Sequence, residues 1–498
     1  MNESSPIPLR GIAFNAVLSL ATKIVGLALG FFSLGITTRF LGQEGFGVYS
    51  TVLAYASIVS FLGDLGLYSL MVREISLAKD RNEEGIDSQA ESKVASHIFT
   101  IRLFGLAGFF ALGIILASLF WHKSALPTLA LLLASFQYFA LSVAQVLVGI
   151  FQKHLAIRIV AFAELCGRAI TLGALFIAFS WAGAINDSVR IVVTLGAFAL
   201  GSLVIGVVSI IGAHHLVRLR ISFDFVEFKR LFYETFPMGI VVVVTALYFR
   251  LDTILLAFLR SETEVGIYNG AYRILEVLAF FPAAFVGLLM PGLSRYALTD
   301  TRRFGKIFHG GFETLLLITF PISAGLFFES DRIVSFIAGQ AFVASGPVLA
   351  VLSGAIFMIF FGSLFSNALI AKKRQLNLVW IYSVAMVVNI GANIAVIPRF
   401  GYMGAAWTTL ITECLATVSM LIALWPVRFP TKRIIPILCA TLLMILFLRI
   451  TRFPLGLAIS GGAIMYLACL FALGGLSRDD IRMFLHSGRR EENGNILS

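Results

Sequence analysis

Long apolar segments recur along almost the whole chain and constrain its fold more than any other feature. Runs of about 20 mainly apolar residues occur roughly 14 times, separated by short polar stretches. A helix of that length spans the hydrocarbon core of a bilayer, where only helices and closed barrels satisfy their backbone groups. The sequence therefore predicts an all-α polytopic membrane protein with about 14 transmembrane helices. The predicted spans lie near residues 12–36, 47–72, 98–120, 126–150, 159–182, 191–213, 237–259, 266–291, 311–329, 346–371, 377–397, 402–426, 433–449 and 455–475.

Composition indicates that little of the chain lies outside the membrane. Of its 498 residues, 59% are hydrophobic and only 13% are charged, whereas a soluble chain of this length carries far more surface charge. No basic soluble domain carries the net charge of +11, so this charge does not indicate nucleic-acid binding. The four cysteines lie apart in apolar stretches and indicate neither disulfides nor a metal site.

Positive charge is concentrated in every second loop. With the N-terminus inside, the inner segments hold about 25 Lys and Arg residues and the outer segments about 8. Lys and Arg are retained on the cytoplasmic side of membrane proteins. We therefore expect a multi-pass protein of the cytoplasmic (inner) membrane with both termini in the cytoplasm, as an even number of spans requires.

Two similar motifs divide the chain into halves. Phe40–Tyr49 and Phe258–Tyr268 both open with Phe-Leu and close with Gly-x-Tyr, between the first two spans of each predicted half. Six spans per half give both halves the same orientation, as in parallel pseudo-repeats. The predicted organisation is two six-helix lobes plus a C-terminal helix pair: lobe 1–213, interfacial linker helix 214–236, lobe 237–426, helix pair 427–475 and cytoplasmic tail 476–498. Residues 73–97 are expected to form an inner loop.

The order of motifs resembles that of one membrane-protein family. The motifs of the first half are Phe40-Leu41-Gly42-x-x-Gly45-x-Gly47-x-Tyr49, Gly63-Asp64-Leu65-Gly66-Leu67 and Arg73-Glu74. Those of the second half are Gly266-x-Tyr268-x-x-Ala271-Tyr272-Arg273, Pro291-x-x-Ser294-Arg295 and Gly401-Tyr402-x-Gly404-Ala405-Ala406-Trp407. Together they resemble the polysaccharide flippases (Wzx type) of the MATE-like multidrug/oligosaccharidyl-lipid/polysaccharide superfamily.

The resemblance implies that the protein moves a polyprenyl-pyrophosphate-linked oligosaccharide from the cytoplasmic to the outer leaflet by alternating access. It implies no cofactor and leaves coupling to protons, sodium or the membrane potential open. The expected partners are the lipid-linked glycan, membrane lipids, a glycan polymerase and chain-length proteins, with no nucleic acid. A MATE-like ion-coupled exporter of small molecules is the alternative. An integral-membrane glycan polymerase or transferase is disfavoured, because no loop is large enough to carry clustered catalytic groups.

Charged residues inside the predicted spans are the candidate site, because charges at bilayer depth usually face a partner or a wet cavity. Cations lining a hydrated path would offset the desolvation of a pyrophosphate. Lys23 and Arg250 lie near the middle of the first span of each half and are expected to correspond under the repeat. The candidate substrate-binding residues are Lys23, Arg168, Arg250 and Arg273, and the candidate gating or coupling residues are Asp64, Glu164, Asp252 and Glu276.

Two of these pairs have a purely structural alternative. Arg273 and Glu276 are three residues apart, and Glu164 and Arg168 are four apart, so each pair can neutralise itself on one helix face. For Glu164 and Arg168 the self-neutralising pair is the favoured interpretation. Lys23 can also snorkel to the interface or pair with a carboxylate.

The partners and roles of the remaining acids, Asp252 and Asp64, are open for a different reason. Asp252 needs a partner from another helix or is protonated, and a protonatable carboxylate offers a route to ion coupling. Asp64 and Arg73 approach the inner end of the second span, where they would form either a gate or a helix-end ion pair. Arg102 is close enough to the inner end of its span that snorkelling is expected.

Overall fold

The computed structural model describes residues 9–64, 66–80, 87–120, 128–181, 183, 186–222, 224–425, 433–451 and 453–475. Within these ranges the chain forms α-helices, one short 3-10 helix (Gln340–Ser345) and no β-strand. The helices are α1 (Leu9–Asp64), α2 (Leu67–Asp80), α3 (Asp87–Phe120), α4 (Thr128–Lys153), α5 (Ile157–Ser180), α6 (Asp187–Leu216), α7 (Phe225–Leu259), α8 (Glu262–Tyr296), α9 (Thr301–Phe328), α10 (Ser330–Ala338), α11 (Gly346–Ala371), α12 (Gln375–Leu424), α13 (Ile434–Ile450) and α14 (Leu455–Ala472).

Two of these helices are too long for one crossing. Helix α1 has 56 residues and α12 has 50, whereas a single crossing needs about 20. Each is interrupted by a glycine in the left-handed region, Gly42 (φ 66°) and Gly401 (φ 56°), a conformation that glycine adopts at little steric cost. Each long helix therefore supplies two successive crossings with a sharp turn between them.

The number of crossings follows from this division. Ten helices in the described ranges are long and apolar enough to span a membrane. Counting the halves of α1 and α12 separately, and adding the 35-residue α7 and the shorter apolar α13, gives the fourteen predicted spans. The polytopic all-α fold expected from the sequence is confirmed.

Many large apolar side chains point outward from the helices. Phe176 and Ile177 on α5 are 66% and 65% exposed, and Ile464 on α14 is 68% exposed. Such a surface would be unstable in water but matches the apolar environment of lipid tails. These faces are the lipid-contacting surface of the bundle.

The described residues divide into two compact units. The first unit comprises residues within Met1–Gly270, Ile337–Phe342 and Tyr382–Ala405; the second comprises Ala271–Phe336, Val343–Ile381 and residues within Ala406–Ser498. In the first unit α6 packs on α4 and α5, and α1 packs on α5 and α7. In the second unit α9 packs on α11 and α13, and α13 packs on α14.

The structure changes two expectations about the segments between spans. Residues 225–236 are not a separate interfacial helix, because they form the beginning of α7, which continues to Leu259. The segment before α7 contacts α3, where Ser96 Oγ accepts a hydrogen bond from Arg220 N (3.0 Å). The expected inner loop 73–97 is largely helical, because α2 ends at Asp80 and α3 begins at Asp87. The predicted tail 476–498 lies outside the described residues.

Candidate functional site

Helices α1 and α5, which pack on each other in the first unit, carry Lys23 and Arg168. The Arg168 side chain lies along the α1 backbone, where Nη1 donates a hydrogen bond to the carbonyl of Gly26 (3.1 Å). A Cβ at Gly26 would lie 3.3 Å from Arg168 Nε, so the glycine makes this close approach possible. Lys23, whose side chain is exposed, lies one helical turn before Gly26. The two candidate cations therefore lie on adjacent helices, and Lys23 is one turn from the residue that Arg168 contacts.

Arg168 and Glu164 line a cavity of about 340 Å³ formed by α1, α4, α5 and α6. The favoured expectation of an ion pair between them is wrong. Arg168 binds the α1 backbone instead, and Glu164 has no hydrogen bond or ion pair among the described residues. The reason is tertiary: α1 offers a backbone acceptor beside Arg168, which the spacing within α5 does not reveal.

Asp252 has its partners on two other helices, one of the alternatives open from the sequence. The carboxylate is 3% exposed. It accepts hydrogen bonds from the hydroxyl of Tyr268 on α8 (3.1 Å) and from Nδ2 of Asn393 on α12 (2.6 Å). Asn393 Nδ2 also donates to Asn389 Oδ1 (3.0 Å), and Asn393 Oδ1 has no hydrogen-bond partner among the residues that the structure describes. We call these four residues the Asp252 cluster.

The two repeat motifs meet each other in space. A Cβ added at Gly47 would lie 1.8 Å from the carbonyl oxygen of Glu262, and one added at Gly266 would lie 1.8 Å from that of Gln43. The same offset of 219 residues separates Gln43 from Glu262 and Gly47 from Gly266. The contact is therefore reciprocal, as at an interface with two-fold symmetry. We call it the glycine crossing.

The glycine crossing corrects the expected correspondence of two candidate cations. An offset of 219 residues pairs Arg250 with Phe31, not with Lys23. Arg250 is half-buried on α7 and lies two residues before Asp252. Lys23 and Arg250 therefore do not occupy equivalent positions in the two copies of the repeat.

In the second unit, Arg273 and Glu276 form the ion pair that their spacing predicts. Arg273 Nη1 lies 2.8 Å from Glu276 Oε2, and their side chains are 20% and 24% exposed. Because both side chains keep some exposure, the pair is not sealed in a dry interior. The pairing is consistent with either stiffening or gating, and its role stays a prediction.

Asp64 is held by a partner that the sequence analysis did not assign. Its carboxylate pairs with the guanidinium of Arg102, which also donates to the hydroxyl of Ser142. Arg102 is only 1% exposed, so the expectation that it snorkels is wrong. Gly63 brings the end of α1 against Leu106 of α3, which directs Asp64 toward Arg102. The side chain of Arg73 lies outside the described residues.

The sequence analysis missed the uncharged members of both sites. Gln137 of the cavity and Asn389 and Asn393 of the Asp252 cluster are all at least nine-tenths buried. A buried amide within a transmembrane helix is itself a signal, because it needs a partner that lipid cannot supply. The sequence therefore indicates that each amide needs a polar partner, but only the helix packing shows which residues surround it.

The same fold occurs in solved structures of membrane transporters. The lipid II flippase MurJ, in an inward closed conformation, superposes with a TM-score of 0.74 at 16% identity, covering 96% of this chain and 99% of that one. An inward-facing multidrug resistance MATE family transporter gives a TM-score of 0.60 at 16% identity, covering 82% and 97%. At these identities the similarity defines the fold alone.

The sequence places the chain more narrowly. Residues 9–297 match the polysaccharide biosynthesis protein family (Polysacc_synt), and the chain belongs to this family. It is 24% identical over 407 residues to a putative O-antigen transporter of Shigella flexneri, covering 79% of this chain and 92% of that protein. It is also 29% identical over 174 residues to a probable flippase, AglR, of Haloferax volcanii, covering 34% and 36%.

Proposed function

We propose that this protein is a flippase that moves a polyprenyl-pyrophosphate-linked oligosaccharide from the cytoplasmic to the outer leaflet. The observation that carries the proposal is the combination, in one chain, of a polysaccharide biosynthesis family sequence with a fold also found in a lipid II flippase. The relatives are described as an O-antigen transporter and as flippases. The protein is a transporter and not an enzyme.

The cations would act on the pyrophosphate. This group must leave the aqueous headgroup region, and losing its hydration is expensive unless charged donors replace the water. Lys23 and Arg168 can act together because α1 and α5 are adjacent, while Arg250 and Arg273 provide further donors. Arg adds a planar fork that matches phosphate oxygens. Alternating access would expose these cations first to the inner and then to the outer side.

The carboxylates would control the cycle. Asp252 would be the coupling group, because its buried carboxylate accepts hydrogen bonds from Tyr268 and Asn393 and could take up a proton or a sodium ion at that position. The Arg273–Glu276 pair would open and close during gating. Asp64 would fix the inner end of α1 through Arg102, and Glu164 would act inside the cavity.

The cellular setting follows from the same proposal. The protein lies in the cytoplasmic membrane with both termini inside, as the distribution of Lys and Arg favours. A glycan polymerase and chain-length proteins would receive the flipped substrate. A MATE-like exporter of small molecules is the second candidate, because a MATE transporter shares the fold. The flippase is favoured by the polysaccharide family and by the cations inside the spans.

A deletion strain tests the proposal directly. Loss of the gene should stop delivery of one surface glycan and leave its lipid-linked precursor on the inner leaflet, measured by mass spectrometry and by accessibility to added glycosidases. Lys23→Ala, Arg250→Ala and Arg273→Ala should each lower export by about tenfold or more, the size of one lost charge-assisted hydrogen bond. Arg302→Ala is the matched control, because Arg302 is exposed outside the spans.

The two candidate functions predict different results. If the deletion strain exports its glycan normally but becomes sensitive to small cationic compounds, the exporter is correct. If all three cation variants export as well as the control, the cationic pathway is wrong, and the deletion result alone decides whether the protein is a flippase.

A further inference from the structure

The cavity between α1, α4, α5 and α6 carries, besides Arg168, polar groups to which the proposed pyrophosphate binding assigns no role. It lies wholly within the first unit, and its volume of about 340 Å³ is in the range of small-molecule sites. Its polar lining includes Ser33, Gln137, Glu164, Arg168, Ser202 and Ser209. These side chains come from all four helices, so the packing of the unit assembles them.

One buried group and two more accessible ones in this lining can make further hydrogen bonds. Gln137 is 8% exposed, and its Oε1 atom has no hydrogen-bond partner in the described part of the chain. Glu164 has no hydrogen bond or ion pair among the described residues. Arg168 uses one N–H group on the Gly26 carbonyl and has four others. A buried amide oxygen is normally satisfied, and half-buried Glu164 and exposed Arg168 add accessible charged groups beside it, so the cavity offers donors and acceptors to a polar ligand.

The charges that line the cavity restrict the chemical class of ligand that it can bind. Glu164 and Arg168 are the charged residues lining the cavity, and their charges cancel. A pyrophosphate would need an excess of cations, and a cationic drug would need an excess of carboxylates. A neutral ligand with many hydroxyl groups instead uses both signs, together with the Gln137 amide and the serine hydroxyls.

The apolar part of the wall fits the same kind of ligand. Leu141, Val148 and Ile205 line the cavity beside the polar groups. A pyranose ring presents hydroxyl groups at its edge and C–H groups on its faces, so it can contact both kinds of surface. We propose that this cavity is a sugar subsite, which binds a neutral pyranose of the lipid-linked glycan while Arg168 and the cations outside the cavity hold the adjoining pyrophosphate. This inference rests on the proposed flippase function.

The probe for the test is the glycan itself without its lipid. Mild acid releases the oligosaccharide from the precursor that accumulates in the deletion strain, removing both polyprenyl and phosphate groups. Saturation-transfer NMR with the full-length protein in nanodiscs measures its binding. We expect binding to the unaltered protein and at least a fivefold loss of affinity in Gln137→Leu and in Glu164→Gln.

A matched control lies on the same helix. Gln152→Leu makes the same change on α4 at an exposed position that donates to Tyr68 (3.0 Å) and does not line the cavity. It should bind the oligosaccharide as the unaltered protein does. If Gln137→Leu fails to accumulate, Ser202→Ala, which removes a single hydroxyl, replaces it in the comparison.

The outcomes separate this inference from the proposed function. No binding by the unaltered protein, or equal binding by the cavity variants and Gln152→Leu, overturns the sugar subsite and leaves the flippase in place. Absence of an accumulated precursor in the deletion strain overturns the flippase, and the sugar subsite with it. Loss of binding in the cavity variants, with normal binding by Gln152→Leu, supports both the sugar subsite and the proposed flippase function.

Discussion

The glycine crossing contains the same backbone contact twice, but the two copies of its motif have different side-chain surroundings. In the first copy, Tyr49 stacks on Phe46 (5.7 Å between ring centroids) and packs against Phe198 (5.8 Å). In the second, the hydroxyl of Tyr268 donates to the buried carboxylate of Asp252. The repeat has kept the close approach of two backbones, whereas the chemistry beside it has diverged.

The same offset extends this contrast to the two sites. Displaced by 219 residues, Asp252 corresponds to Ser33, which lines the sugar cavity. One half thus has a hydroxyl in a cavity whose two lining charges cancel, and the other has a buried carboxylate that accepts hydrogen bonds from Tyr268 and Asn393. We infer that the first copy of the motif supports substrate recognition and the second supports coupling.

The largest expected effect comes from filling the glycine crossing. Gly47→Ala and Gly266→Ala should each cost more than about 3 kcal/mol of stability, because the added Cβ would overlap a backbone carbonyl that has no rotamer to change. Thermal unfolding of the purified protein measures this. Gly105→Ala on α3 is the control, since nothing lies within 4 Å of its added Cβ. If only one of the two variants is destabilised, the two backbone contacts of the glycine crossing do not contribute equally to stability.

Neutralising Asp252 should have the next largest effect, on transport. Asp252→Asn removes the charge that would bind a proton or sodium while keeping one oxygen, so that one of the two donors, Tyr268 or Asn393, still has its acceptor. Export should fall by about tenfold or more and lose its dependence on pH or sodium. Ser33→Ala, at the corresponding position, should keep that dependence. Unchanged pH and sodium profiles in Asp252→Asn would exclude Asp252 as the coupling group.

The smallest effect concerns the arginines that flank the two motifs. Arg39 Nη1 donates to the carbonyl of Ile337 (2.6 Å), and Arg260 donates to those of Ile397 (3.1 Å) and Pro398 (3.0 Å). Both therefore satisfy carbonyls near helix ends, where cations typically contribute about 0.3–1 kcal/mol. Arg39→Gln and Arg260→Gln should lower thermal stability slightly and equally, and Arg302→Gln should not. A large loss in one variant would assign that arginine a role beyond capping.

The fourteen spans and the repeat motif were predictable from sequence because both depend on local pattern. A run of apolar residues long enough to cross a bilayer has few alternatives to a helix. The left-handed turn at Gly42 follows from a glycine between two such runs, and Gly401 behaves in the same way. The pair of Arg273 and Glu276 was predictable for a similar reason, because one helix fixes both residues.

The partners of Asp64, Arg168 and Asp252 were decided only by the tertiary structure. Each partner lies on another helix, so the spacing within one helix carries no information about it. The amides of Gln137 and Asn393 gained significance only once packing had buried them. The sequence by itself determined that this chain crosses the membrane and which charges it carries there. Helix packing decided which charges are paired and which face a cavity, because burial and contact are properties of several helices together.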